Sequence, residues 1–357
     1  MTKPIVAHFV PRWLGNPYHP ELAKHLGTYG VAVKEEDCLK VIFQQIRSRK
    51  QLPDIIHLHV LPDFNTSPVT IARYLLYWWR VIKLRRLGVK IVWTVHNLAP
   101  HEAPHPGVDV MFSRRLFRKA DAVIIHSVAA QRTIEQQWGV QRRDNIHIIP
   151  HGNYIASYPN TISKQAAREQ LNLPLHEMVF LFLGLVRAYK GVPALIETFR
   201  SLPYDDLHLL IAGEPVSKKL WQDIERKAGD CSQVQLHPKF ISPEEIQVYM
   251  NAADIVVFPY TKTLTTGALL LAMSFGRACI APKMGAVQDT LDDKGGFLYD
   301  LAAPNGLRDS MERAVRSRWQ LEDMGRHNRR RAESWDWDDI AYRTSHVYRQ
   351  CLGVEPV

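Results

Sequence analysis

Two permanent cations stand three residues apart in Arg187-Ala-Tyr-Lys190-Gly191, directly after the apolar run MVFLFLGLV. An arginine forks onto phosphate oxygens and a lysine acts as a point charge, so the pair suits a diphosphate whose charge must be neutralised as it departs. A solvated strand–helix turn would carry the same five residues. Further on, Thr265-Thr266-Gly267 opens the apolar stretch ALLLAMSFG. The amide groups of a first helical turn, two hydroxyls and a glycine small enough for close backbone approach make an anion site. An ordinary N-cap would use one threonine and would not require the glycine. Glu214, after LHLLIAG, offers a carboxylate to a sugar or ribose hydroxyl. The backbone near Phe240 could receive a base, although a helix begun by Ser242-Pro-Glu-Glu explains that segment equally well.

In the N-terminal half the densest set of titratable groups is Thr94-Val-His96-Asn97-Leu-Ala-Pro-His101-Glu102, which leaves the run KIVWTV. Transfer to a hydroxyl needs a base for its proton or donors that stabilise a departing phosphate. Glu102 is the candidate base, His96 would hold acceptor or donor, and His101 would contact the acceptor. Capping and loop-structuring is the alternative for His101 and Glu102. Asn16 and Tyr18, in Gly15-Asn-Pro-Tyr18, read as loop residues suited to hydrogen-bonding and stacking on a sugar, or as a plain turn. His57 and His59 alternate with apolar neighbours and share one face of a strand, the default place for satisfied core histidines; His59, nearer the carboxyl end, is the better binding candidate. The stretch from Arg73 to Arg86 mixes bulky rings with basic residues at helical length. It reads either as a helix lying on a membrane surface or as a buried helix with a basic outer face.

These residues need elements to position them. IVAHFV, DIIHLHV, KIVWTVH, DAVIIHS and NIHIIPH alternate with amphipathic stretches, and the pattern restarts with MVFLFLGLV, LHLLIAG, VQLHPKF, ADIVVFPY and ACIAP. Buried parallel strands separated by helices predict an α/β protein with two doubly wound sheets. The polar segment 151–165 is the linker between them, which predicts an N-terminal domain over 1–155 and a second over 156–334. In such sheets ligands bind beyond the carboxyl ends of strands, where the residues above lie.

Bulk properties agree. The 357 residues suit two cores, with 46% hydrophobic and 23% charged residues as in a soluble globular protein. Four scattered cysteines form no ligand or disulfide spacing, and the N-terminus reads as a first strand, so a cytoplasmic protein without a metal site is expected. The formal charge of +9 is concentrated early: residues 1–150 hold 21 Lys and Arg against 11 Asp and Glu, the remainder 24 against 25. No nucleic-acid recognition motif accompanies that charge, so no nucleic-acid partner is expected.

GNPY, HLHV, TVHNLAPHE, IIPHGNY, GLVRAYKG and TTGALLLAMSFGRACIAP, in this order along the chain, resemble the GT-B glycosyltransferases of bacterial exopolysaccharide assembly, and more broadly glycosyltransferase family four. Within that group it is similar to the GDP-mannose:glycolipid 4-beta-mannosyltransferases. The resemblance implies two Rossmann-like domains facing a cleft, with a nucleotide diphosphate sugar on the second and an acceptor on the first. It also implies a final helix, within 335–357, that crosses back to the first domain. Carried over by position, Arg187 and Lys190 would contact the diphosphate, Thr265 to Ala268 its distal phosphate, and His151 the linker side of the donor. Many family-four enzymes carry two glutamates eight residues apart where this chain has Thr263 and Leu271. The expectation is therefore an inverting, metal-independent transfer of a hexose, mannose first, to a lipid-linked saccharide at the cytoplasmic face of the inner membrane. A UDP-sugar donor, or a non-catalytic nucleotide- or glycan-binding subunit of the same fold, is the alternative.

Overall fold

The computed structural model describes residues 3–13, 15–47, 52–61, 68–98, 106–141 and 144–355. Glu102 and His101 lie outside the described residues. The chain divides into two compact units, one of Met1–Gly152 with Trp335–Val357, the other of Asn153–Ser334.

The first unit holds a six-stranded sheet: β1 (Ile5–Val10), β2 (Val31–Glu35), β3 (Ile55–Leu58), β4 (Lys90–Thr94), β5 (Ala122–Ile125) and β6 (Ile146–Ile148). Its order is β2-β1-β3-β4-β5-β6, and every pairing is parallel. Helices cover both faces of such a sheet, which is why β3 and β5 are buried throughout and read as unbroken apolar runs apart from His57. The helix Trp337–Leu352 completes this core: Trp337, Ile340, Ala341 and Tyr348 pack among Phe9, Tyr18, Leu22 and Leu26. Asp336 caps it by accepting from the amides of Asp338 and Asp339, and Gly353 ends it at φ 68°.

The second unit contains β7 (Met178–Leu183), β8 (Leu207–Ala212), β9 (Val234–His237), β10 (Ile255–Val257), β11 (Ala278–Pro282) and β12 (Gly296–Tyr299). They are parallel in the order β12-β11-β10-β7-β8-β9. Counted within the unit this is the dinucleotide-fold order 3-2-1-4-5-6, whose switch point lies between β7 and β10. In the first sheet the order reverses between β1 and β3. The sequence runs thus become two doubly wound sheets, and each switch point opens beside residues that the sequence singles out.

Near Phe240 the helix starts later than the Ser-Pro-Glu-Glu signal suggests, at Ile246. Ser242 and Glu245 nevertheless exchange capping bonds: the Ser242 amide donates to the Glu245 carboxylate and the Glu245 amide to the Ser242 hydroxyl, at 3.1 and 3.3 Å.

Candidate functional site

At the switch point of the second sheet, the chain leaves β7 through Gly184 and forms a short 3-10 turn, Ala188–Lys190, that closes on Gly191 in the left-handed region at φ 69°. A Cβ at Gly191 would lie 2.0 Å from the carbonyl oxygen of Pro259, so only glycine lets this turn reach the segment after β10. Two bonds tie the segments together, with the Thr261 amide and hydroxyl both donating to the Tyr189 carbonyl at 2.8 and 3.1 Å. Lys190 Nζ sits over the rings of Tyr260 (5.6 Å) and Phe182 (5.9 Å). A Cβ at Gly184 would approach that ammonium to 3.1 Å. Burial, reinforced by the nearby Arg187 charge, lowers the Lys190 pKa to about 8. Two cations that repel one another in a partly buried turn gain most from an anion that binds both.

The helix Gly267–Ser274 begins beside them. Thr266 occupies its N-cap position in extended conformation, yet makes no side-chain capping bond; its side chain lies beside the Tyr260 phenol instead. The cap explanation of these threonines therefore fails. The Thr265 hydroxyl is buried without a hydrogen-bond partner among the described residues. At Gly267 a Cβ would come within 2.9 Å of the Tyr154 hydroxyl, which explains the glycine by close packing. Ala268 follows in the first turn, partly buried. Tyr260 thus joins the two halves, under Lys190 on one side and beside Thr266 on the other. An uncapped helix start with two cations alongside can hold a diphosphate. Glu214 and Phe240 are exposed on the loops that leave β8 and β9. Thr263 bonds through its hydroxyl to the Thr265 carbonyl, and Leu271 lies inside the helix, so neither position supplies a carboxylate.

The first unit carries a different arrangement at its carboxyl edge. His59 follows β3, His96 and His126 follow β4 and β5, and His151 follows β6. Their rings meet: His59 and His96 stack with centroids 5.6 Å apart, and His96–His126 and His126–His151 lie at 5.1 and 5.3 Å. His57 and His19 pack against His59 at 4.1 Å each. Tyr18 touches His59, His96, His126 and His151 at 4.8 to 5.9 Å. His57 is bonded at both nitrogens, to Tyr348 Oη at 2.6 Å and Thr94 Oγ1 at 2.7 Å, and is the satisfied core histidine of this strand. His96, by contrast, is only partly buried. Removal from water holds all six imidazoles below the ordinary histidine range: His19 and His126 at about 4, His151 at about 3, and His57, His59 and His96 well below it.

Several sequence expectations change here. Tyr18 is no loop residue: it is the first residue of the helix Tyr18–Thr28, 4% exposed, and its amide donates to Asn16 Oδ1 at 2.9 Å. Asn16 thus organises a helix start. His151, expected at the linker side of the donor, lies in the first unit's histidine group and donates from Nδ1 to the Gly152 carbonyl at 2.8 Å. His59 is 2% exposed, so its ring serves the cluster first. His19 and His126 were not among the expected residues; the signal for His126 was present, because a histidine follows each of β3, β4, β5 and β6 within three residues.

The helix Pro68–Arg86 divides the two readings of the basic aromatic segment between its faces. Tyr77, Trp78, Val81 and Leu84 are buried, whereas Leu75, Leu76, Trp79 and Ile82 are exposed beside Arg73, Lys83, Arg85 and Arg86. Lys83 sits over the Trp79 ring at 4.9 Å. Among the described residues no helix is long and apolar enough to cross a membrane, and no group of three His, Cys, Asp or Glu could hold a metal ion.

Comparison with known proteins agrees with the fold. Residues 10–152 match the family described as Glycosyl transferase 4-like domain, and residues 177–317 the family Glycosyl transferases group 1. A GDP-mannose:glycolipid 4-beta-D-mannosyltransferase of Xanthomonas campestris pv. campestris is 26% identical over 84% of this chain and 80% of its own. A D-inositol 3-phosphate glycosyltransferase of Xylanimonas cellulosilytica is 23% identical over 76% of this chain and 69% of its own. Among solved structures, sucrose-phosphate synthase from Thermosynechococcus elongatus superposes with a TM-score of 0.78 at 19% identity, covering 99% of this chain and all of that one.

Proposed function

Because this chain is a GT-B glycosyltransferase of the family-four-like type, we propose that its second unit binds the diphosphate of a nucleotide sugar at Arg187, Lys190 and the Thr265–Thr266–Gly267–Ala268 helix start. The observation that carries this reading is the junction at the β7/β10 switch point, where two mutually repelling cations adjoin an uncapped helix N-terminus through Tyr260. Glu214 and Phe240, on neighbouring loops, would meet the ribose or sugar and the base.

The donor of this reading is GDP-mannose and the acceptor a lipid-linked saccharide, by likeness to the mannosyltransferase relative. Threonine and leucine at positions 263 and 271 favour an inverting displacement, with Glu102 as base and with His96, His101 and Asn16 toward the acceptor. The cations neutralise the leaving diphosphate, so the reaction proceeds without a metal. The exposed aromatic and basic face of the helix Pro68–Arg86 would rest on an anionic membrane at the cytoplasmic face, where such an acceptor is anchored.

The test is a thermal-shift and transfer panel of GDP-, UDP- and ADP-sugars with membrane-supplied acceptor. Stabilisation and transfer with GDP-mannose are expected. Transfer from a UDP-sugar alone would replace the donor assignment, and the absence of any donor binding would overturn the reading.

A further inference from the structure

Three imidazoles at the carboxyl edge of the first sheet are joined nitrogen to nitrogen, and one backbone carbonyl decides where every proton in that chain sits. His126 Nδ1 lies 3.0 Å from the Ile149 carbonyl oxygen. A carbonyl only accepts, so His126 carries its hydrogen on Nδ1. Burial keeps the ring neutral, with the pKa at about 4, so His126 Nε2 is a bare lone pair. His96 Nδ1 is 3.3 Å from that lone pair and must be the donor. His96 is neutral by the same cause, which leaves its Nε2 bare, and His59 Nδ1, 3.3 Å away, donates to it. The chain ends at His59 Nε2, a buried nitrogen without a hydrogen-bond partner among the described residues. That ending is consistent with the derived direction, because a buried acceptor left unpaired is tolerated more often than a buried N–H donor.

We propose that His126, anchored on the Ile149 carbonyl, is a positioning residue that fixes His96 in the Nδ1–H tautomer and so makes its Nε2 an acceptor for a substrate hydroxyl. His96 is the partly exposed member of the three, and at 3.3 Å its bond from His59 is long, so a substrate hydroxyl can share the Nε2 lone pair while His59 keeps its donor bond. A neutral ring with a lone pair at Nε2 accepts a hydroxyl hydrogen and disfavours a phosphate oxygen. This face of the first unit therefore selects the sugar part of a ligand over its phosphate. The tautomer assignment stands on geometry within one unit; its use on a substrate hydroxyl rests on the transferase reading above.

Two-bond 15N–1H correlation spectra of the full chain labelled with 15N-histidine read the tautomers directly, with assignment by single substitutions. Expected at pH 7 are neutral Nδ1–H forms for His59, His96 and His126. His126→Asn keeps a donor near the Ile149 carbonyl but removes the acceptor for His96; His126→Gln can return an oxygen to the Nε2 position. The asparagine variant should lose the Nδ1–H signature of His96 and about tenfold in kcat with KM little changed, and the glutamine variant should retain most of both. An Nε2–H signature on His96 in the unsubstituted protein, or an unaltered His96 in folded His126→Asn, overturns the proposal. If neither variant folds, the spectrum of the unsubstituted protein decides. A failure to transfer sugar with an intact tautomer pattern would count against the functional reading and not against the proton register.

Discussion

Lowering the pH from 7.5 to 5 should destabilise the first unit by several kcal/mol, because the histidine group is held neutral by burial. The sign follows from the direction of the shifts. Each folded-state pKa lies below the ordinary value of 6.5, so the unfolded chain binds protons that the folded one refuses. The stability is complete above pH 6.5 and is lost as pH falls through 6.5 toward 4. For His19 and His126, moving from about 6.5 to about 4, the loss at pH 5 is about 2 kcal/mol each, and for His151 it is about the same. Together these amount to about 6 kcal/mol before coupling, against a typical domain stability of about 5–15 kcal/mol. His57, His59 and His96 act in the same direction. Urea titrations at the two pH values, followed by tryptophan fluorescence, read this unit preferentially, since seven of the nine tryptophans (13, 78, 79, 93, 138, 335 and 337) belong to it. A first-unit transition whose free energy at pH 5 stays within about 1 kcal/mol of its value at pH 7.5 would refute the reasoning.

Donor affinity should carry the titration of Lys190: with its pKa at about 8, raising pH from 7 to 9 should weaken donor binding about tenfold, and Lys190→Arg should remove that dependence in calorimetric titrations. Gly191→Ala should destabilise the second unit by about 2 kcal/mol or more in urea, since its Cβ would meet the Pro259 carbonyl at a positive φ. Trp79→Ser should reduce partition onto anionic vesicles with little change in Tm, its side chain being 49% exposed, whereas Trp78→Ser should cost about 3–5 kcal/mol of stability, its side chain being 6% exposed. Vesicle sedimentation and thermal melts separate the two. Glu102→Gln should spare donor binding and cut turnover about 100-fold or more; unchanged turnover would remove the base assignment.

Both sheets are legible in the sequence because a parallel strand covered on two faces must be apolar along its whole length, as MVFLFL and AVII are. The diphosphate candidates are legible for a related reason. Chemistry in such a sheet gathers at strand ends, and Arg187, Lys190 and Thr265 to Gly267 all follow strands directly or by a short loop. The single-sequence pattern cannot say which strands become neighbours. Hydrogen bonds between distant segments make β7 and β10 adjacent, and only then does Gly191 meet Pro259 and Tyr260 lie under Lys190. The histidines are the sharper case. Read singly, His57 and His59 are two residues of an alternating strand, His126 is one polar residue after an apolar run, and Tyr18 is part of a turn. Stacking β3, β4, β5 and β6 side by side turns a histidine after each into one buried group. The sequence alone therefore determined the residue types and their places at strand ends, since backbone periodicity is local. Strand order, the pairing of loops and the direction of the proton chain were decided by the tertiary structure, because each depends on contacts between residues far apart in the chain.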